Sequence, residues 1–167
     1  MLGLAIFTMI ILVLSGCDGG GGNGGGGGSD DPEIYDFNAA SFEGTTWKCV
    51  ASGDRPEITV KILKIIESKT VPGYACFTGS VECDATGKIN IDAAESTKII
   101  WLLGIKEYGT NYISFHVWAT SALGDIIQVD GTMISSNMNE ISVHYLKIKA
   151  GTLDYNNDSE TVRFTKV

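Results

Sequence analysis

From residue 45 onward, apolar side chains recur at every second position, and that period decides what the chain can become. Successive side chains of a strand point to opposite faces, so this alternation makes a ribbon with one apolar face; a helix needs a repeat of about 3.6. Trp47-Lys48-Cys49-Val50 opens the first candidate strand, and Ile58, Val60 and Ile62 alternate with Thr59 and Lys61 in the second. Further candidates cover 74–83, 88–92, 98–103, 111–119, 125–134, 139–148 and 160–167. Turn chemistry separates them: Ser52-Gly53-Asp54, Val71-Pro72-Gly73, Ala85-Thr86-Gly87, Tyr108-Gly109-Thr110, Leu123-Gly124-Asp125, Asn137-Met138-Asn139 and Asn156-Asn157-Asp158. One short helix is expected at 32–40. Many short strands with regular turns specify an all-β fold, a barrel or a sandwich. Short sequential connections favour an antiparallel up-and-down barrel of about eight strands, with a β-sandwich as the alternative.

The segment before this region is of another kind. Residues 1–14 (MLGLAIFTMIILVL) are uncharged and almost wholly apolar. The run is shorter than the ~20 residues that span a bilayer and has the length of a signal-peptide apolar region. It leads into Leu14-Ser15-Gly16-Cys17, which resembles the lipobox of bacterial lipoproteins. The resemblance implies cleavage between Gly16 and Cys17 and a diacylglyceryl group on the Cys17 sulfur. Several acyl chains then hold the protein at a membrane, where one chain alone binds only marginally. It also implies a bacterial cell-envelope location, inner or outer membrane left open, with the domain on the periplasmic or extracellular side.

Residues 18–31 (DGGGGNGGGGGSDD) offer nothing to pack, and ordering them would cost backbone entropy with no burial in return. They read as a flexible tether with a reach of roughly 20 Å. A phosphate-cradling glycine loop needs a strand before it and a helix after it, and neither is expected here. The plan is therefore a signal segment over 1–17 ending in the lipidated cysteine, a tether over 18–31, and a single β domain over 32–167. The formal net charge of −8 lies entirely beyond residue 17. An acidic surface argues against nucleic acid and against anionic lipid. The expected partners are the membrane, through the lipid on Cys17, and either a small hydrophobic ligand or an envelope protein. No cofactor is expected.

Once Cys17 is acylated, Cys49, Cys76 and Cys83 remain in an oxidising compartment. If Gly79-Ser80 forms a two-residue type II′ turn, Cys76 faces Cys83 across a hairpin and the two can join, leaving Cys49 as a buried free thiol. A competing pattern puts Gly79 at a strand start. Gly79-Ser80-Val81 followed by Gly87-Lys88-Ile89-Asn90-Ile91 has the spacing of Gly131-Thr132-Met133 followed by Asn139-Glu140-Ile141-Ser142-Val143. Each copy reads as strand, turn, strand. The cysteine spacing fits no zinc finger.

A second resemblance rests on Gly44-Thr45-Thr46-Trp47 at the first strand, Gly-Thr hairpins such as Asp130-Gly131-Thr132-Met133, and the last strand Val162-Arg163-Phe164-Thr165-Lys166-Val167. Together these are similar to small lipocalin-like bacterial lipoproteins. The likeness implies that Trp47 closes the barrel floor and that a cation from the last strand, Arg163 or Lys166, packs over its indole. It also implies a ligand inside the barrel. Trp101, Tyr112 and Trp118, the large aromatics of the middle strands, are candidates to line such a cavity, with ordinary core packing the preferred reading.

Other chemistry is sparse. His116 and His144 both fall on the more polar faces of their strands and read as two solvated or hydrogen-bonded histidines, with a shared metal or acid–base role as the less favoured alternative. No nucleophile elbow, HExxH or paired-carboxylate pattern accompanies them, so no enzyme is expected. An enzymatic role needs the two histidines to converge within a cleft. Asp154-Tyr155-Asn156-Asn157-Asp158 begins like a calcium loop, but Ser159 replaces the glycine and the closing Glu is missing, so a hairpin turn is preferred. Two functions remain: a binding module with an open lumen, or a structural and protein-interaction lipoprotein with a filled barrel and an apolar patch outside.

Overall fold

A computed structural model describes residues 32–92, 99–157 and 161–167. The signal segment, Cys17 with its cleavage site at Gly16, and the tether lie outside the described residues. The strands are β1 (Glu33–Ile34), β2 (Thr46–Cys49), β3 (Ile58–Glu67), β4 (Tyr74–Cys83), β5 (Gly87–Ile91), β6 (Ile99–Glu107), β7 (Thr110–Thr120), β8 (Ile126–Ile134), β9 (Glu140–Ala150), β10 (Leu153–Asn157) and β11 (Val162–Lys166). Every ladder between them is antiparallel.

β2, β3 and β4 form one meander, and β6, β7, β8 and β9 form another. β4 pairs directly with β6, and β11 lies between β9 and β2. Those two junctions close an eight-stranded antiparallel up-and-down barrel. β5 and β10 are spurs, following the far halves of β4 and β9.

The alternating pattern puts Val60, Phe77, Leu102, Phe115, Val129 and Phe164 in the interior, each essentially inaccessible to solvent. Phe77 and Phe115 stack with ring centroids 6.0 Å apart. A barrel of eight strands is just wide enough for side chains to fill, and these side chains fill it.

One end of the barrel gathers the 68–73, 108–109 and 135–139 connections and the entry of the chain at β1; it is called the tether end below. Here a short 3-10 turn at Ala39–Phe42 replaces the helix expected at 32–40. Phe42 stacks on Trp47 at 6.1 Å and 26°, and Phe37 meets Phe42 edge-on at 6.2 Å. Trp47 Nε1 donates to Thr45 Oγ1 (3.0 Å), whose hydroxyl donates to the Phe42 carbonyl (2.6 Å). Aromatic rings from the segment before β2 thus stopper this end. The cation expected over the indole is not supplied by Arg163, which points out of the barrel and pairs with Glu140 at 3.3 Å. Lys166 sits beside Trp47 in register, but it is exposed, and it is Phe42 that stacks on the indole.

Two glycines bend the wall. Gly79 pairs with Ile62 and Thr78 with Lys64, so Leu63 is an extra residue in β3. Asp130 pairs with Tyr145 and Gly131 with Val143, so His144 is an extra residue in β9. Such bulges sharpen twist and curvature where a sheet must close. A Cβ on Gly79 would lie 1.8 Å from the Lys61 carbonyl oxygen, and one on Gly131 would lie 2.8 Å from Ile141 Cγ2. The two copies of the sequence repeat are these glycines with the hairpins that follow them.

The strand reading of Gly79 displaces the hairpin turn, and with it the disulfide between Cys76 and Cys83. Both cysteines lie on β4, where seven steps of ~3.3 Å set them roughly 23 Å apart. Cys49 and Cys83 carry free thiols. They flank Ile58 in one row, two strands or roughly 10 Å apart, beyond the ~7 Å Cα limit for a bridge. The turn expected at 156–158 runs into Asp158, which lies outside the described residues. Gly151-Thr152 makes the hairpin, and Asn156 and Asn157 belong to β10.

Candidate functional site

Antiparallel register aligns side chains of neighbouring strands into rows across the wall. One row on the outer face runs Cys76 on β4, Trp101 on β6, His116 on β7, Asp130 on β8 and Tyr145 on β9, each directly paired with the next. Trp101 stacks on the His116 imidazole with centroids 5.0 Å apart and planes 20° from parallel. His116 Nδ1 hydrogen-bonds Asp130 Oδ1. Gln128 Nε2 donates to Asp130 Oδ2 at 2.8 Å.

Asp130 is only 3% exposed although it faces outward. A carboxylate withdrawn from water to that degree must be paired and hydrogen-bonded, and here both oxygens are engaged. The bulge adds His144 to the same neighbourhood. Although its edge reaches solvent, desolvation lowers its pKa below the ordinary 6.5, and the Asp130 carboxylate opposes that shift. Both histidines therefore relate to one carboxylate, His116 by a hydrogen bond and His144 by charge.

With Nδ1 tied to Asp130 and one ring face covered by Trp101, His116 has Nε2 left to offer a partner. Trp118 is two residues along β7 on the same face and 40% exposed. The arrangement is an aromatic and hydrogen-bonding surface held rigid from below. It sits on the outer wall of the barrel. Among the described residues, no group of three or more His, Cys, Asp and Glu is arranged to hold a metal.

Trp101, Tyr112 and Trp118, candidates for core packing or for a lumen lining, take neither place. All three point outward, because they share the parity of His116 and Leu103 rather than that of Phe115 and Leu102. Trp101 packs with Tyr74, Cys76 and Leu103 in an apolar cluster on the outside of the wall. An open cleft of about 300 Å³ lies outside the barrel at the tether end, between Asp36–Phe37 and the 67–74 loop.

Asp130 was missed because Asp130-Gly131-Thr132 carries turn chemistry and was read as a hairpin. The usable signal was parity: Gln128, Asp130 and Thr132 share the polar face of β8, opposite His116 on the polar face of β7.

No family model, curated protein or solved structure matches this chain.

Proposed function

We propose that the chain is a lipid-anchored interaction module of a bacterial envelope, held by Cys17 and its glycine tether, with a filled barrel that engages a partner through its outer wall. The observation that carries this reading is the inversion of inside and outside. The lumen is occupied by Phe77, Phe115 and their neighbours, while Trp101, Trp118 and His116 stand on the exterior. One exposed aromatic, Trp118, beside a largely buried, hydrogen-bonded base of Trp101, His116 and Asp130 is the kind of anchor that protein–protein contacts use. In this reading the domain acts by binding.

Two measurements test it on the full chain. Titration with an environment-sensitive fatty-acid probe should show no saturable uptake; one-to-one uptake weakened by Phe115→Leu would overturn the filled-barrel reading. A photo-crosslinking residue at position 118 in living cells should trap one discrete protein, which the same probe at Leu123 does not.

A further inference from the structure

β1 pairs Ile34 with Ile105; Ile105 faces Tyr112 on β7, and Tyr112 faces Ile134 on β8. This gives an unbroken outer row of four apolar side chains across β1, β6, β7 and β8. Ile34 is 47% and Ile134 48% exposed, and Ile105 and Tyr112 are half-buried between them. Beyond the row, at the tip of the β6–β7 turn, Tyr108 is 92% exposed. A contiguous exposed apolar strip of this kind marks a contact surface.

Its place in the chain identifies the occupant. The tether over 18–31 ends at β1, and β1 contains Ile34 itself. In the anchored reading, only the short stretch 18–31 separates this end of the barrel from Cys17, so the two stay close. Lys106 pairs with Glu33 at 3.2 Å, while Glu107 at the turn and Asp30, Asp31 and Asp36 beside β1 in sequence keep this end acidic. The net charge of −8 argues against an anionic surface as the target. Tyrosine is also among the residues that settle at a membrane–water boundary.

Resting on the anchored reading above, we infer that the Ile34–Ile105–Tyr112–Ile134 row, led by Tyr108, docks on the uncharged lipid surface to which the tether holds it. Tyr112 and Trp118 are six residues apart on the same outer face of one strand, so the aromatic site around Trp118 lies roughly 20 Å along the wall from the membrane contact. Docking fixes the barrel's orientation on the lipid.

The test uses the full chain made in a bacterium, purified with its lipid, and reconstituted in phosphatidylcholine vesicles. Intact mass of the N-terminal peptide reports whether Cys17 is acylated. Amide hydrogen exchange then compares the wild type with a Tyr108→Asp, Ile134→Asp double variant and with Leu123→Asp at the opposite end. A docked population of about 90% slows exchange over 107–112 and 134–138 by about tenfold in the wild type and in Leu123→Asp, and not in the double variant. Aspartate tolerates the positive φ of 48° at position 108, and Ile134 ends its strand, so both variants keep the fold. A lipidated, vesicle-bound wild type with no slower exchange than the double variant overturns docking alone. Slower exchange that persists in lipid-free solution and scales with protein concentration assigns the strip to a second copy and overturns it too. An unmodified Cys17 in protein that does not float with vesicles overturns the anchored reading and docking together.

Discussion

Phe115 and Trp118 lie three residues apart on β7, and the barrel assigns them to opposite faces. Phe115 is 1% exposed and stacks on Phe77, whereas Trp118 is 40% exposed on the outer wall. Replacing Phe115 by alanine removes a ring from a filled interior that relaxes only in part, at a cost of about 3–5 kcal/mol. Part of this is the lost ring–ring contact, worth about 1 kcal/mol. Replacing Trp118 by alanine deletes a larger side chain, but water fills the space it leaves. That cost is on the order of 1 kcal/mol. With a urea slope of about 1.5 kcal/mol per M, the midpoint falls by roughly 2–3 M for Phe115→Ala and by less than about 1 M for Trp118→Ala. Far-UV circular dichroism is the right probe, since Trp118→Ala removes a fluorophore. The comparison is demanding because a one-residue slip in register exchanges the two faces of a strand. Equal costs, or a larger cost for Trp118, would refute both the assignment of faces and the filled lumen.

Gly79→Ala puts a Cβ 1.8 Å from a backbone oxygen that is locked in the β3–β4 ladder, so it should destabilise by more than about 2 kcal/mol; Gly87→Ala, with open space around it, is the comparison that shows only the milder strain of its positive φ. His144 has a folded-state pKa below its unfolded value, so the unfolded chain binds more protons, and stability is lost as pH falls through 6.5 toward the folded value. His144→Gln should remove that part of the slope between pH 7.5 and 5.5 in urea titrations, and Asp130→Asn should deepen it, because the carboxylate that favours the charged ring is gone. Burial pushes the Cys49 thiol above its ordinary 9.0 against the pull of Arg55, so Cys49 and Cys83 should resist a thiol reagent in the native state and react on unfolding. Peptide mapping without reductant should recover no Cys76–Cys83 link.

The barrel was legible because its information is local. Ile58, Val60 and Ile62, or Ile113, Phe115 and Val117, declare their strand and their inner face by parity alone, and each turn carries its own chemistry. What the alternation cannot show is which of two faces closes on itself. Trp101, Tyr112 and Trp118 look like lumen residues by size, yet their parity sets them with His116 on the outside. Size was the weaker guide and parity the stronger. Glycine misled in the same way. Gly79 and Gly131 have turn-former identities, but each serves a close approach of strand to strand opposite a bulge, and a bulge leaves no mark on the strand that lacks the extra residue. The short segment before β2 resisted for a further reason. Its 3-10 turn exists because Phe42 finds Trp47, a tertiary contact with no local period.

The bulge in β9 links the fold to the site. Closing a barrel of eight strands requires local bends, and Gly131 permits one by letting β9 come close. The extra residue that the bend inserts is His144, opposite the most buried carboxylate of the outer wall. Without the extra residue, strict alternation would give Asp130 one neighbour from β9; with it, Tyr145 and His144 share that position. The same distortion that lets the wall close therefore concentrates two histidines and a carboxylate where the exterior would otherwise carry scattered polar side chains. Because Asp130 is held by His116 and Gln128 from neighbouring positions in the register, its place depends on the ladder and not on a loop. A partner that meets Trp118 and His116 meets a surface whose groups were positioned when the barrel closed, so little ordering cost remains for the encounter.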